Sequence, residues 1–162
     1  MIILSFDVGI KNLAYCQIDS STSDILDWNI IDCSVPINGN VIVKLIEELE
    51  SILHETGYPD IVLFSSPGGN DILDGLPYEK VVENINGIID IFQDRNPEIV
   101  ILIEQLAPGK TSFMTPELTA IFDQAVLDVE TIAQEQTDEN SQVIPVNMFE
   151  GFTDRYLADD IH

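Results

Sequence analysis

Two short runs in this chain carry side chains suited to acyl-transfer chemistry. Gly68-Gly69-Asn70-Asp71 follows a continuously apolar stretch, and a glycine-rich turn there lets a side-chain amide and nearby backbone N–H groups point into a cleft. Donors fixed where negative charge develops are what an oxyanion hole requires. Asp159 and His162 stand three apart. A histidine can act as general base for a hydroxyl nucleophile, and a carboxylate can fix its tautomer and orientation. Each run also has a plainer reading: Asn70 caps the loop after a glycine turn, and Asp-x-x-His is a pairing common by chance.

The elements that must position these residues read as alternating strands and helices. Residues 2–9 form an apolar strand, and residues 13–19 and 27–33 form two more, split by the polar cluster Ser20–Asp24. Asn40–Thr56 carries apolar residues at Val41, Leu45, Ile46, Leu49, Ile52 and Leu53, the spacing of an amphipathic helix ended by Gly57 and Pro59. Asp60–Ser66 is a short buried strand, followed by a turn at residues 67–70. Pro77–Asp94 is a helix with Val81, Val82, Ile85, Ile88, Ile89 and Phe92 inward, and Glu98–Leu106 is another strand. Thr115-Pro116 reads as an N-cap with proline at the first helical position, opening a helix to about Gln136. Val143–Phe149 is the last strand. Strand–helix alternation predicts one α/β domain over residues 1–162, a three-layer sandwich around a mainly parallel sheet. Functional residues in such sheets sit past the C-terminal ends of the strands, where residues 69–70, 107–111 and 159–162 fall.

Composition narrows the function classes. With 45% apolar residues and 162 positions the chain can build a sizeable core. The net charge is −23, from six Lys and Arg against 29 Asp and Glu. The six cations are scattered, so the Lys/Arg footprint of a nucleic-acid binder is missing and a nucleic-acid partner is not expected. Cys16 and Cys33 make neither a disulfide framework nor a CxxC motif and read as small apolar residues. No signal peptide and no membrane span is expected.

The run PDIVLFSSPGGNDILDGLPYEKVVENINGIIDIFQDRNPEIVILIEQLAPGK is similar to the third block of the SGNH (GDSL-type) ester hydrolases with its following helix and strand, and VIPVNMFEGFTDRYLADDIH resembles the approach to that family's final block. The resemblance spans about Tyr58–His162. It implies a flavodoxin-like parallel sheet, a small-molecule carboxylic ester or carbohydrate acetyl ester as substrate, and no cofactor. It also implies His162 as base, Asp159 as its orienting acid, and Asn70 as an oxyanion donor. A second oxyanion donor in the family is a glycine between its first and third blocks, for which Gly39 is the candidate. The family's nucleophile is the serine of a Gly-Asp-Ser motif after the first strand. Here Phe6-Asp7-Val8 stands in that place, and valine has no hydroxyl to acylate. Ser5 is adjacent in sequence but points the wrong way along the strand, and Ser65 and Ser66 end the strand before Asn70, within reach of the cleft.

The first 34 residues resemble a different family. MIILSFDVGIKNLAYCQID with ILDWNIIDC is similar to the RuvC-like Holliday junction resolvases of large DNA viruses, which have the RNase H fold. That resemblance implies an antiparallel front edge to the sheet and carboxylates that hold Mg²⁺ for phosphodiester cleavage. Asp7 on the first strand, Glu104 in Ile103-Glu104-Gln105, and Asp160 would be the ligands. Without it, Asp7 is a strand-end turn residue. The two resemblances meet near residues 40–57, as in a natural fusion, a designed chimera, or a diverged hydrolase with a coincidental first strand.

Overall fold

The computed structural model describes residues 1–8, 12–32, 48–54, 57–65, 67–73, 75–106 and 114–147. Six strands make one sheet: β1 (Ile2–Val8), β2 (Asn12–Asp19), β3 (Asp24–Asp32), β4 (Ile61–Ser65), β5 (Val100–Glu104) and β6 (Gln142–Val146). Their spatial order is β3-β2-β1-β4-β5-β6. β1, β4, β5 and β6 run parallel, and β1–β2–β3 is an antiparallel meander. The expected α/β architecture, a mainly parallel sheet with an antiparallel front edge, is therefore what the chain adopts. The third strand begins three residues earlier than its apolar text implied. Its first turn is Ser20–Ser23, closed by Ser23 N–H donating to Asp19 O, with Ser23 itself at φ 63°.

Of the helix expected over residues 40–56, residues 48–54 are helical (α1) and bury Leu49, Ile52 and Leu53; the rest of that span lies outside the described residues. Gly57, at φ 81°, donates to Leu53 O and ends it in a left-handed turn that glycine adopts without steric cost. A short helix α2 (Gly69–Leu73) starts inside the segment expected to be only a turn. Helix α3 (Tyr78–Arg95) follows, then α4 (Pro116–Gln136). The Thr115 cap is as expected, its hydroxyl accepting from Leu118 N–H at 3.2 Å.

One face of the sheet carries the core. Side chains alternate along a strand, so Leu4, Phe6, Val62, Phe64, Ile101, Ile103 and Val143 share a face, and all are buried. Against them pack Leu49, Ile52 and Leu53 of α1, Ile88, Ile89 and Phe92 of α3, and Val129, Ile132 and Ala133 of α4. Of the expected layers, the described residues thus comprise the sheet and the helices on this face. Phe6, Phe64 and Phe92 form a triangle with ring centroids 5.6–5.9 Å apart. Such contacts add about 0.5–1.5 kcal/mol each beyond area burial.

The far corner is locked by polar groups. Buried Ser141 accepts from Gln93 Nε2 at 2.8 Å, and the same amide reaches Gln136 O. Asp138 Oδ1 accepts the N–H groups of Ser141 and Asn140, which hold its carboxyl below the usual carboxylate range. These bonds set where β6 begins, and so its register against β5.

Candidate functional site at the C-terminal edge of the sheet

Because β1, β4, β5 and β6 are parallel, their C-terminal ends lie along one edge. Asp7 is the register partner of Ser65, and Glu104 of Val146, with Phe64 paired to Ile103 one step earlier. Asp7, Ser65 and Glu104 therefore form a row across three adjacent strands, on the face opposite Phe6, Phe64 and Ile103. Neighbouring strands are about 4.8 Å apart, so Ser65 separates the two carboxylates. Its hydroxyl donates to Glu104 Oε2. Glu104 is 8% exposed, Ser65 half-buried and Asp7 exposed. A buried carboxylate is tolerated where a donor meets it, and Ser65 is such a donor.

Past β4 the chain turns through Pro67-Gly68 into α2, and Asn70 lies in the first turn of that helix. Both glycines are closely packed, and Gly68 is required there. Gly68 has φ 85°, and a Cβ there would stand 2.3 Å from Val81 Cγ1 of α3. A Cβ on Gly69 would come within 3.2 Å of Leu106 Cδ2, just after β5. The turn is clamped between α3 and the exit of β5, which carries α2 to the same sheet edge as Val8. Ile72, Val81, Leu106 and Ala125 make a second small core beneath α2. At its side Tyr78 donates to Asp128 at 2.8 Å, and burial, then that carboxylate, push the tyrosine hydroxyl up.

The residues expected to act are unevenly placed. Asp7 and Glu104 are brought into one row, with Ser65 between them. Val8 ends β1 and Asn70 is the second residue of α2, both as backbone positions on the C-terminal edge. Gly39, Asp159, Asp160 and His162 lie outside the described residues, as does Ser66. Among the described residues no group of three or more His, Cys, Asp or Glu is placed to hold a metal ion. The Ser65–Glu104 pairing went unread in the sequence. Its signal was present: FSS and LIE each end an apolar strand, and aligning the two strands in parallel register sets Ser65 beside Glu104.

No protein-family model matches the chain, and no curated protein does. Solved structures of similar fold include a carbohydrate esterase family 3 protein from Talaromyces cellulolyticus, at TM-score 0.60 and 19% identity over 76% of this chain and 56% of that one. A serine-to-alanine mutant of an acetyl esterase, solved with an acetate ion, matches at TM-score 0.60 and 20% identity over the same shares of the two chains. Thermus thermophilus RuvC matches at TM-score 0.44 and 13% identity over 79% of this chain. The chain thus spans little more than half the length of the two esterases it is similar to. At these identities the likeness is one of fold: an α/β sheet shared with esterases. No described helix is long and apolar enough to cross a membrane.

Proposed function

We propose that this chain is an SGNH-type hydrolase of carboxylic esters, acting on a small ester or on an acetyl group carried by a carbohydrate, and impaired because Val8 stands where the nucleophilic serine belongs. The observation that supports the reading is the parallel order β1–β4–β5–β6, with Val8 ending β1 and the glycine turn that leads to Asn70 following the adjacent β4. The fold shared with two esterases supports it, as does the sequence of residues 58–162. In this mechanism His162 takes the proton of the attacking group, water in this chain or the serine hydroxyl in Val8→Ser, while Asp159 holds the imidazole and Asn70 and Gly39 donate to the developing oxyanion. With the nucleophile gone, the oxyanion and binding contributions alone can sustain roughly 10³–10⁴-fold over background.

The experiment is hydrolysis of a short activated ester. Val8→Ser should raise the rate, and adding His162→Ala should remove the gain. High activity of the unaltered chain that survives both His162→Ala and Asn70→Ala would place the chemistry elsewhere and end this reading.

A second reading is favoured by one observation, the Asp7–Ser65–Glu104 row beside an antiparallel meander. In it the chain is a Mg²⁺-dependent, RuvC-like junction endonuclease with Asp7, Glu104 and Asp160 as ligands. A net charge of −23 opposes binding to a four-way DNA junction. Tight, structure-selective junction binding in a low-salt gel shift with Ca²⁺ in place of Mg²⁺ would reverse the ranking.

A further inference from the structure

The site at the sheet edge holds a hydroxyl that the proposed mechanism does not use. Ser65 donates to Glu104 Oε2 across two adjacent parallel strands, and Glu104 is 8% exposed. Ser21 also donates to a carboxylate, that of Asp19, but in the exposed turn after β2, where water competes for both groups. A hydrogen bond to a carboxylate shielded from water is the stronger of the two kinds. Ser65 itself is only half-buried. It ends β4 at the C-terminal edge, and its register partner on β1 is Asp7, the residue before Val8. The hydroxyl thus lies one strand away from the place where the hydrolase reading wants a serine, on the other face of the sheet.

A serine becomes a nucleophile when a neighbouring group within hydrogen-bond reach can take its proton, and a carboxylate can be that group. Ser65 and Glu104 have this arrangement at the edge where open parallel sheets of this kind bind their ligands. We propose that Ser65 accepts the acyl group of an ester and that Glu104 is its general base, which gives this chain a covalent route beside direct attack by water. The proposal rests on the hydrolase reading only for the class of substrate.

In the first half of the reaction Ser65 Oγ bonds to the acyl carbon and its proton passes to Glu104 Oε2. The bond from that carbon to the alcohol oxygen breaks, and the alcohol leaves with the proton from Glu104. In the second half water adds to the acyl carbon and gives a proton to Glu104. The bond to Ser65 Oγ then breaks, the carboxylic acid departs, and the proton returns to Ser65. Asp7 and Glu104 flank the serine on either side, so a second anion is repelled and the substrate is a neutral ester, an acetyl ester before a half-ester of a dicarboxylic acid.

The test is brief exposure of the whole chain to nitrophenyl acetate, an acid quench, and mapping of the acetyl group by peptide mass. One acetyl group on Ser65 is expected, formed with a burst of nitrophenolate. Glu104→Gln keeps a side-chain oxygen to accept the Ser65 hydrogen bond but cannot take the proton, and should slow acetylation by about 10²–10⁴-fold. Ser21→Ala should leave it unchanged. The proposal is overturned if Ser65 stays unmodified or if Glu104→Gln acetylates as fast as the unaltered chain. Hydrolysis that needs His162 and Asn70 while Ser65 stays unmodified overturns it and leaves the hydrolase reading standing. Acetylation of Ser65 that is undiminished in His162→Ala, with no gain of activity in Val8→Ser, upholds it and ends the roles given to His162 and Val8.

Discussion

β4 alternates buried and half-buried residues along Ile61–Ser65, whereas seven of the nine residues of β3 are exposed. Both strands satisfy their backbones through neighbours in the same sheet, yet they spend their side chains in opposite ways. β4 lies between β1 and β5 and is bound on both edges, so its apolar residues face helices and stabilise by burial. Among the described residues β3 is bound on one edge only, and its Ile25, Trp28 and Ile30 are exposed while Ile31 packs against the core. The parallel half thus carries most of the core, and the antiparallel edge contributes little burial to it.

The contrast is broken most directly at Phe64 and Trp28. Phe64→Ala removes a ring packed against Phe6 and Phe92 and should cost about 3–5 kcal/mol in urea-induced unfolding. Trp28→Ala should fall within about 0.5 kcal/mol of the unaltered chain. Comparable losses at the two sites would show that the edge strand is a structural element after all. A smaller effect separates two glycines that share a left-handed backbone. Ala at Gly57 meets nothing within 4 Å and should cost only the conformational strain, about 1 kcal/mol. Gly68→Ala adds the clash with Val81 and should cost about 1–3 kcal/mol more. Equal losses would mean that the turn after β4 is not clamped.

Much of this architecture was legible because burial writes itself into strand text. The apolar runs at residues 60–66 and 98–106 and the amphipathic spacing of residues 77–94 correspond to β4, β5 and α3, and Thr115-Pro116 marked the start of α4 within a residue. Two features were less visible. α2 is only five residues long and is held by tertiary contacts of Ile72 with Val81 and Leu106, so it leaves little periodicity to read. The early start of β3 at Asp24 was hidden because an exposed strand needs no alternating pattern, and its polar first residue resembled the end of the preceding turn. At the site, single residue types were readable but neighbours were not. Ser65 and Glu104 are 39 positions apart, and only the register of two parallel strands makes them partners.

The central place of β1 has a consequence for how the chain reaches this arrangement. On one side β1 meets β2 through a short connection, and on the other it meets β4, with Ile2 N–H bonded to Asp60 58 residues along. Closing the longer loop costs more chain entropy, and contacts of high sequence separation form later. Folding should therefore run outward from the meander: β1, β2 and β3 assemble first and offer one open edge as a template, and β4, β5 and β6 are laid down on it in turn. Pulse-labelled hydrogen exchange would find the Tyr15 and Cys16 amides protected before those of Ile101 and Val143; the reverse order would mean that the helical core nucleates and the meander is added last.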